Sequence, residues 1–161
     1  MIKLFNAVKE IKKQEGFRSH AYKLQGEKCI TIGYGTYGTY PSTGLPVQEN
    51  DTINEEDAEF EVYQYCQKYI VPYIEKCNQI WLEQGKPELT ENQIIAICSR
   101  RYNSSSFFKS KCWKAILNCD QKTACQEWDW WKFVAPIYQK GVKKRCNREI
   151  ELFYGIKNYW K

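Results

Sequence analysis

One histidine, His20, and eight cysteines without a single Cys-x-x-Cys pair leave this chain without the ligand spacing of a zinc site. No apolar run comes near the ~20 residues that a membrane span requires. The opening MIKLFNAVKEIKK mixes charge with apolar residues where a leader would carry an unbroken hydrophobic stretch, so no signal peptide is read. These absences predict a soluble protein made in the cytoplasm, without stable membrane insertion, metal or cofactor. Low-complexity tracts and internal repeats are also missing, which argues against disorder and against a solenoid. Without a secretory signal, the eight thiols are expected to stay reduced and to pack as small hydrophobes.

What is present is enough for a real core: 161 residues, 43% hydrophobic and 16% aromatic, fit one domain or two small lobes. The net charge of +5 is unevenly spread. Residues 1–91 carry 10 Lys/Arg against 14 Asp/Glu, and residues 92–161 carry 14 against 5, so the second part is +9. That imbalance points to an anionic partner or to a solvated lysine-rich face. The run KGVKKRCNR from Lys140 to Arg148 invites a nucleic-acid reading. It lacks interleaved aromatics for base stacking, and helical spacing collects its charges on one solvated face, so no nucleic-acid partner is expected.

Apolar residues at Ile2, Phe5, Val8 and Ile11 predict a helix to about Gln14, stopped by Gly16, with Glu15 at its end. There the macrodipole disfavours a negative charge, which suits a proton donor. From residue 17 to 40 the β-formers Tyr22, Ile30, Ile32, Tyr34 and Tyr37, punctuated by glycines, predict a hairpin turning at Gly26-Glu27. Alternation sets Cys29 and Thr31 on one face. A polar loop follows at 41–51. Asn54 with three acids then opens a helix that Pro72 should break or kink, and a second piece runs to about Glu83. The remainder reads as helices over 91–102, 107–118, 120–134 and 142–153, with Pro136 as a separator. The fold class is α+β.

EG-x-x-x-x-AY followed by TIGYG, with Glu15 sixteen residues before Thr31, resembles the phage-type lysozymes, the endolysin muramidases of glycoside hydrolase family 24. LTENQ, a helix closing in YN, Phe107 to Ser110, Leu117-Asn118 and GVKKRCNREIELF follow in the family's order, so the resemblance spans nearly the whole chain. It implies a single lysozyme-like domain over 1–161. A small N-terminal lobe with a β-hairpin (about 15–60) and a larger helical lobe (1–14 plus 80–161) would be joined by a long helix, with a sugar-binding cleft. It also implies a monomeric enzyme that acts on bacterial peptidoglycan, reaching the wall from the host cytoplasm through the membrane or delivered by a virion.

Glycoside cleavage needs an acid to protonate the leaving oxygen and a second group on the opposite face of the sugar. By resemblance the acid is Glu15 and the strand threonine is Thr31. The family's second residue, usually Asp, falls nine after the Glu or six before the Thr. Here those positions are Leu24 and Gln25, neither of them a base. Cys29 is the favoured substitute, orienting a water together with Thr31, and Glu27 is the alternative carboxylate. Tyr34 and Tyr37 could stack on sugar rings. Tyr102 and Ser110 match cleft-lining positions. Arg100 either meets wall peptide carboxylates or marks a locally exposed helix. The missing Asp also admits a lytic transglycosylase, or a wall-binding protein on a decayed scaffold.

Overall fold

The computed structural model describes residues 2–161. The chain forms two compact units, Met1–Val71 and Pro72–Lys161.

In the first unit, α1 (Phe5–Glu15) buries Ala7, Val8 and Ile11 and stops at Gly16 with φ +67°. Of the expected stripe only Val8 and Ile11 are buried in it, since Phe5 is 67% exposed and Ile2 precedes the helix. Three short antiparallel strands follow in the order β1 (Arg18–Tyr22), β2 (Thr31–Gly33) and β3 (Thr36–Tyr37). Tyr22 pairs with Thr31 and Arg18 with Gly33, with a register irregularity between them. On the other edge of β2, Thr31 pairs with Tyr37 and Ile32 with Thr36. The turn between β1 and β2 closes from Leu24 to Glu27 (Glu27 N–H to Leu24 C=O, 3.1 Å). The loop at 41–51 is tied down: Tyr40 Oη donates to Asp51, and Glu61, 7% exposed, accepts from both the backbone and the hydroxyl of Ser42.

Asn54 caps α2 (Glu55–Tyr69) by accepting from the Asp57 N–H, and Glu55, Glu56 and Asp57 follow in its first turn. This helix lays Ala58, Val62 and Cys66 into the core of the unit. A Cβ on Gly33 would sit 2.9 Å from the Ala58 Cβ, and Gly33 has φ +65°. Glycine is therefore what lets β2 lie against α2. Gly33→Ala is expected to cost about 2–4 kcal/mol, from left-handed backbone strain and the clash together. Urea denaturation checks this; an unchanged midpoint would mean that the strand and helix separate freely.

Helical structure breaks at Ile70 and resumes as α3 (Val71–Glu83), where Pro72 is tolerated in the first turn. In the second unit, α4 (Glu91–Asn103) starts from a Thr90/Gln93 capping box and is buried continuously from Ile94 to Arg100. Three of the expected helical spans differ. The 107–118 helix is a 3-10 turn (Phe107–Lys109) followed by α5 (Lys111–Leu117), because Ser110 accepts from the Trp113 N–H and restarts it. The 120–134 helix ends early: α6 (Gln121–Gln126) stops where the chain turns to bury Trp128 completely, and a 3-10 turn (Trp130–Phe133) follows. α7 (Pro136–Tyr154) begins six residues before the expected 142, because Pro136 starts it where it was read as a separator.

Trp128 packs between Phe107 and Phe153, with ring centroids 6.0 and 5.6 Å away. Six cysteines are buried, while Cys29 and Cys119 are half-buried. Burial pushes the Cys77 and Cys146 thiols up to about 12 and Cys125 up to about 11, the state of inert packing groups. No helix among the described residues is long and apolar enough to cross a membrane.

Candidate active site

Glu15 is the last residue of α1, and Gly16 turns the chain so that β1 begins at Arg18. The carboxylate is half-buried at the negative end of its helix. Across the sheet, Thr31 opens the central strand and is 6% exposed, held between two tyrosines, Tyr22 on β1 and Tyr37 on β3. Burial raises the Tyr22 phenol; the Arg18 guanidinium, 4.2 Å from its ring, opposes this, while the charges of Glu27 and Glu15 push it further up. Glu15 therefore lies within electrostatic reach of the tyrosine that pairs with Thr31. In the sequence Tyr22 stands as a β-former and as the last residue of EG-x-x-x-x-AY, with no place in the site. Its neighbourhood with Thr31 depends on strand register, which residue spacing alone does not specify.

Cys29 precedes β2 and is half-buried. Its backbone N–H donates to the Tyr37 hydroxyl at 3.2 Å, and its side chain lies against Gly38, where an added Cβ would be 3.4 Å from the sulfur. Thr31, Tyr37 and Cys29 thus form one cluster at the β2–β3 edge. Glu27 is engaged elsewhere: its Oε2 accepts from the Leu24 N–H at 3.1 Å, folding the carboxylate back onto the turn. Leu24 is 52% exposed.

The aromatic expectations divide. Tyr37 is half-exposed and can present a ring face. Tyr34 cannot: it is 5% exposed, against Phe17 at 5.4 Å with the Lys12 ammonium over its ring. Tyr34 is corrected to a core residue, since a tyrosine after a short strand faces inward where the sheet meets α1.

In the second unit, Tyr102 is half-buried on α4, and Ser110 spends its oxygen capping α5. Arg100 is corrected too, being neither exposed nor available to a peptide: it is 5% exposed, with its guanidinium 5.4 Å from the Phe107 ring and 4.9 Å from Trp130. Burial lowers its pKa, and the nearby Glu149 charge opposes that. Glu149 is fully buried and accepts from Ser99 Oγ at 2.7 Å and Trp128 Nε1 at 2.8 Å. Burial raises its carboxyl against the pull of Arg100 and those two donors. This buried network escaped sequence reading, because Glu149 sits in a lysine-rich helix that reads as solvated. Among the described residues, no group of His, Cys, Asp or Glu could hold a metal ion.

No curated protein matches the chain. Several solved structures share its fold. A single-substitution mutant of P22 lysozyme aligns with TM-score 0.68 at 24% identity, over 95% of this chain and 98% of its own. The muramidase domain of SpmX from Asticaccaulis excentricus gives 0.67 at 24%, over 96% and 97%. The endolysin from Escherichia coli O157:H7 phage FAHEc1 gives 0.62 at 23%, over 98% and 96%. Family comparison matches Phage lysozyme over residues 12–149, from the last turns of α1 into the body of α7, and the chain belongs to the phage lysozyme family.

Proposed function

We propose that this chain is a peptidoglycan-degrading muramidase, hydrolysing the β-1,4 bond between N-acetylmuramic acid and N-acetylglucosamine as a phage endolysin or virion-borne lysozyme. It works as a monomer and without a cofactor. Support comes from one observation above the others: Glu15 ends α1 directly before β1, the strand whose Tyr22 pairs with Thr31. Glu15 protonates the leaving glycosidic oxygen. Thr31 and Cys29 orient a water for attack on the anomeric carbon from the opposite face, inverting its configuration; the proton the water loses passes to solvent, from which Glu15 is reprotonated. Tyr37 offers a ring to the sugar. Tyr102 and Ser110 serve the substrate side of the helical unit, Ser110 by fixing the start of α5.

A second reaction on the same substrate is favoured by a specific feature. Leu24 and Gln25 stand where the family's second carboxylate falls, and Glu27 is bonded to the turn. A lytic transglycosylase needs no water-activating base, because the sugar's own hydroxyl closes a 1,6-anhydro ring.

Clearing of a purified peptidoglycan suspension separates the candidates for the second role. Cys29→Ala is expected to slow clearing by about 10²-fold, while Glu27→Gln stays within about threefold of wild type. The reverse order would move the role to Glu27.

A further inference from the structure

We infer that the basic face of α7 holds a second, non-catalytic site that binds a linear oligophosphate. A pocket of about 430 Å³ opens between α7 and the segment after it. Its wall carries Lys140, Lys143, Lys144, Arg148 and Lys161 with one acid, Glu151, which Arg148 already meets at 3.7 Å. Lysines one helical turn apart, as Lys140 and Lys144 are, repel each other and weaken the helix they share. Neither makes an ion pair among the described residues. Such a concentration of like charge is relieved by an anion that bridges several ammonium groups.

The opposite wall is fixed in place. Asn147 clasps the backbone of Trp160 twice, its Nδ2 donating to the carbonyl and its Oδ1 accepting from the N–H, both at 2.8 Å. The indole N–H of Trp160 donates to the Trp128 carbonyl at 3.1 Å, anchoring the segment to a fully buried residue. Lys143 donates to the backbone oxygen of Lys161 and stands 5.0 Å from the Trp131 ring. The pocket is thus preformed, and binding pays little ordering entropy.

Ligand chemistry follows from what the walls offer. Ammonium groups spaced along a helix suit several phosphates in a row, better than one compact anion. Base stacking is not on offer: the Trp160 ring is engaged by the Lys132 ammonium at 4.6 Å, by Trp131 at 5.9 Å and by Tyr159 at 5.0 Å. A phosphate chain without bases therefore fits better than a nucleic acid. Free oligophosphates and the polyol-phosphate chains of cell surfaces share that chemistry. The pocket lies wholly in the second unit and owes nothing to the catalytic reading of the first.

Titration calorimetry of the full chain with inorganic tripolyphosphate and with a glycerol-phosphate trimer tests the site. Saturable binding of either probe, weakening as salt rises, is expected; the tighter of the two identifies the source. Lys140→Glu with Lys144→Glu should weaken it at least about tenfold, whereas Lys109→Glu with Lys122→Glu, the same charge change elsewhere, should stay within about twofold. The milder Lys144→Gln should weaken binding in the same direction with an unchanged melting temperature, which separates a lost site from a lost fold. Three outcomes would overturn the inference: no binding of either probe in 50 mM salt (roughly physiological or below), equal weakening by both reversal pairs, or tighter binding of oligo-dT than of tripolyphosphate.

Discussion

Replacing Glu15 by Gln is expected to lower the rate of wall hydrolysis by about 10²–10⁴-fold, the range that a positioned general acid contributes. The substitution keeps the shape and polarity of the side chain and removes only the transferable proton. Glu15 lies outside the buried core of α1, so folding should be untouched: the melting temperature should stay close to wild type, and adsorption to wall fragments should be unchanged. Lost turnover with retained fold and adsorption is what separates a proton donor from a structural carboxylate. Activity within tenfold of wild type would remove Glu15 from the chemistry and would favour a wall-binding protein that has lost catalysis.

The second large effect concerns stability. Glu149→Ala is expected to destabilise the chain by about 3–5 kcal/mol, because it strips a buried group from a network that cannot turn to water. Ser99 and Trp128 lose their acceptor, and Arg100 loses the opposite charge within its reach. Glu149→Gln, which retains a carbonyl for one of the two donors, should cost less, about 1–3 kcal/mol. Arg100→Met is expected to cost less in the Glu149→Ala background than in wild type, since the charge it removes has already lost its partner. Urea midpoints of the two single variants and the double variant measure this coupling. Additive losses would mean that Arg100 is held by Phe107 and Trp130 alone.

Local rules carried the first unit a long way. The stop of α1 at Gly16 and the cap at Asn54 depend on neighbours in sequence, and each is found where residue chemistry puts it, whereas only Val8 and Ile11 of the expected apolar stripe are buried in the helix and Phe5 faces out. The α+β class followed from the same signals. Strand register did not follow, since pairing Tyr22 with Thr31 joins residues across a turn whose length fixes no register. Tyr34 illustrates a second limit: an aromatic after a strand looks the same in sequence whether it faces sugar or core. In the second unit, Pro136 acts as a helix start, because a missing N–H costs nothing in a first turn. Arg100 and Glu149 look like surface charges when read singly; only packing α4 against α7 reveals that they share an interior. The front motif was legible as a whole, while the second catalytic role was not, because its usual carboxylate is absent and two nearby groups, Cys29 and Glu27, could replace it.

Mass spectrometry of muropeptides released from purified peptidoglycan tests the central claim most directly. Hydrolysis by Glu15 with an oriented water predicts products ending in reducing N-acetylmuramic acid, with ¹⁸O from labelled water at the new anomeric hydroxyl and release by Glu15→Gln slowed by about 10²–10⁴-fold. Products ending in 1,6-anhydro rings without ¹⁸O, or no products from wild type at all, would contradict it.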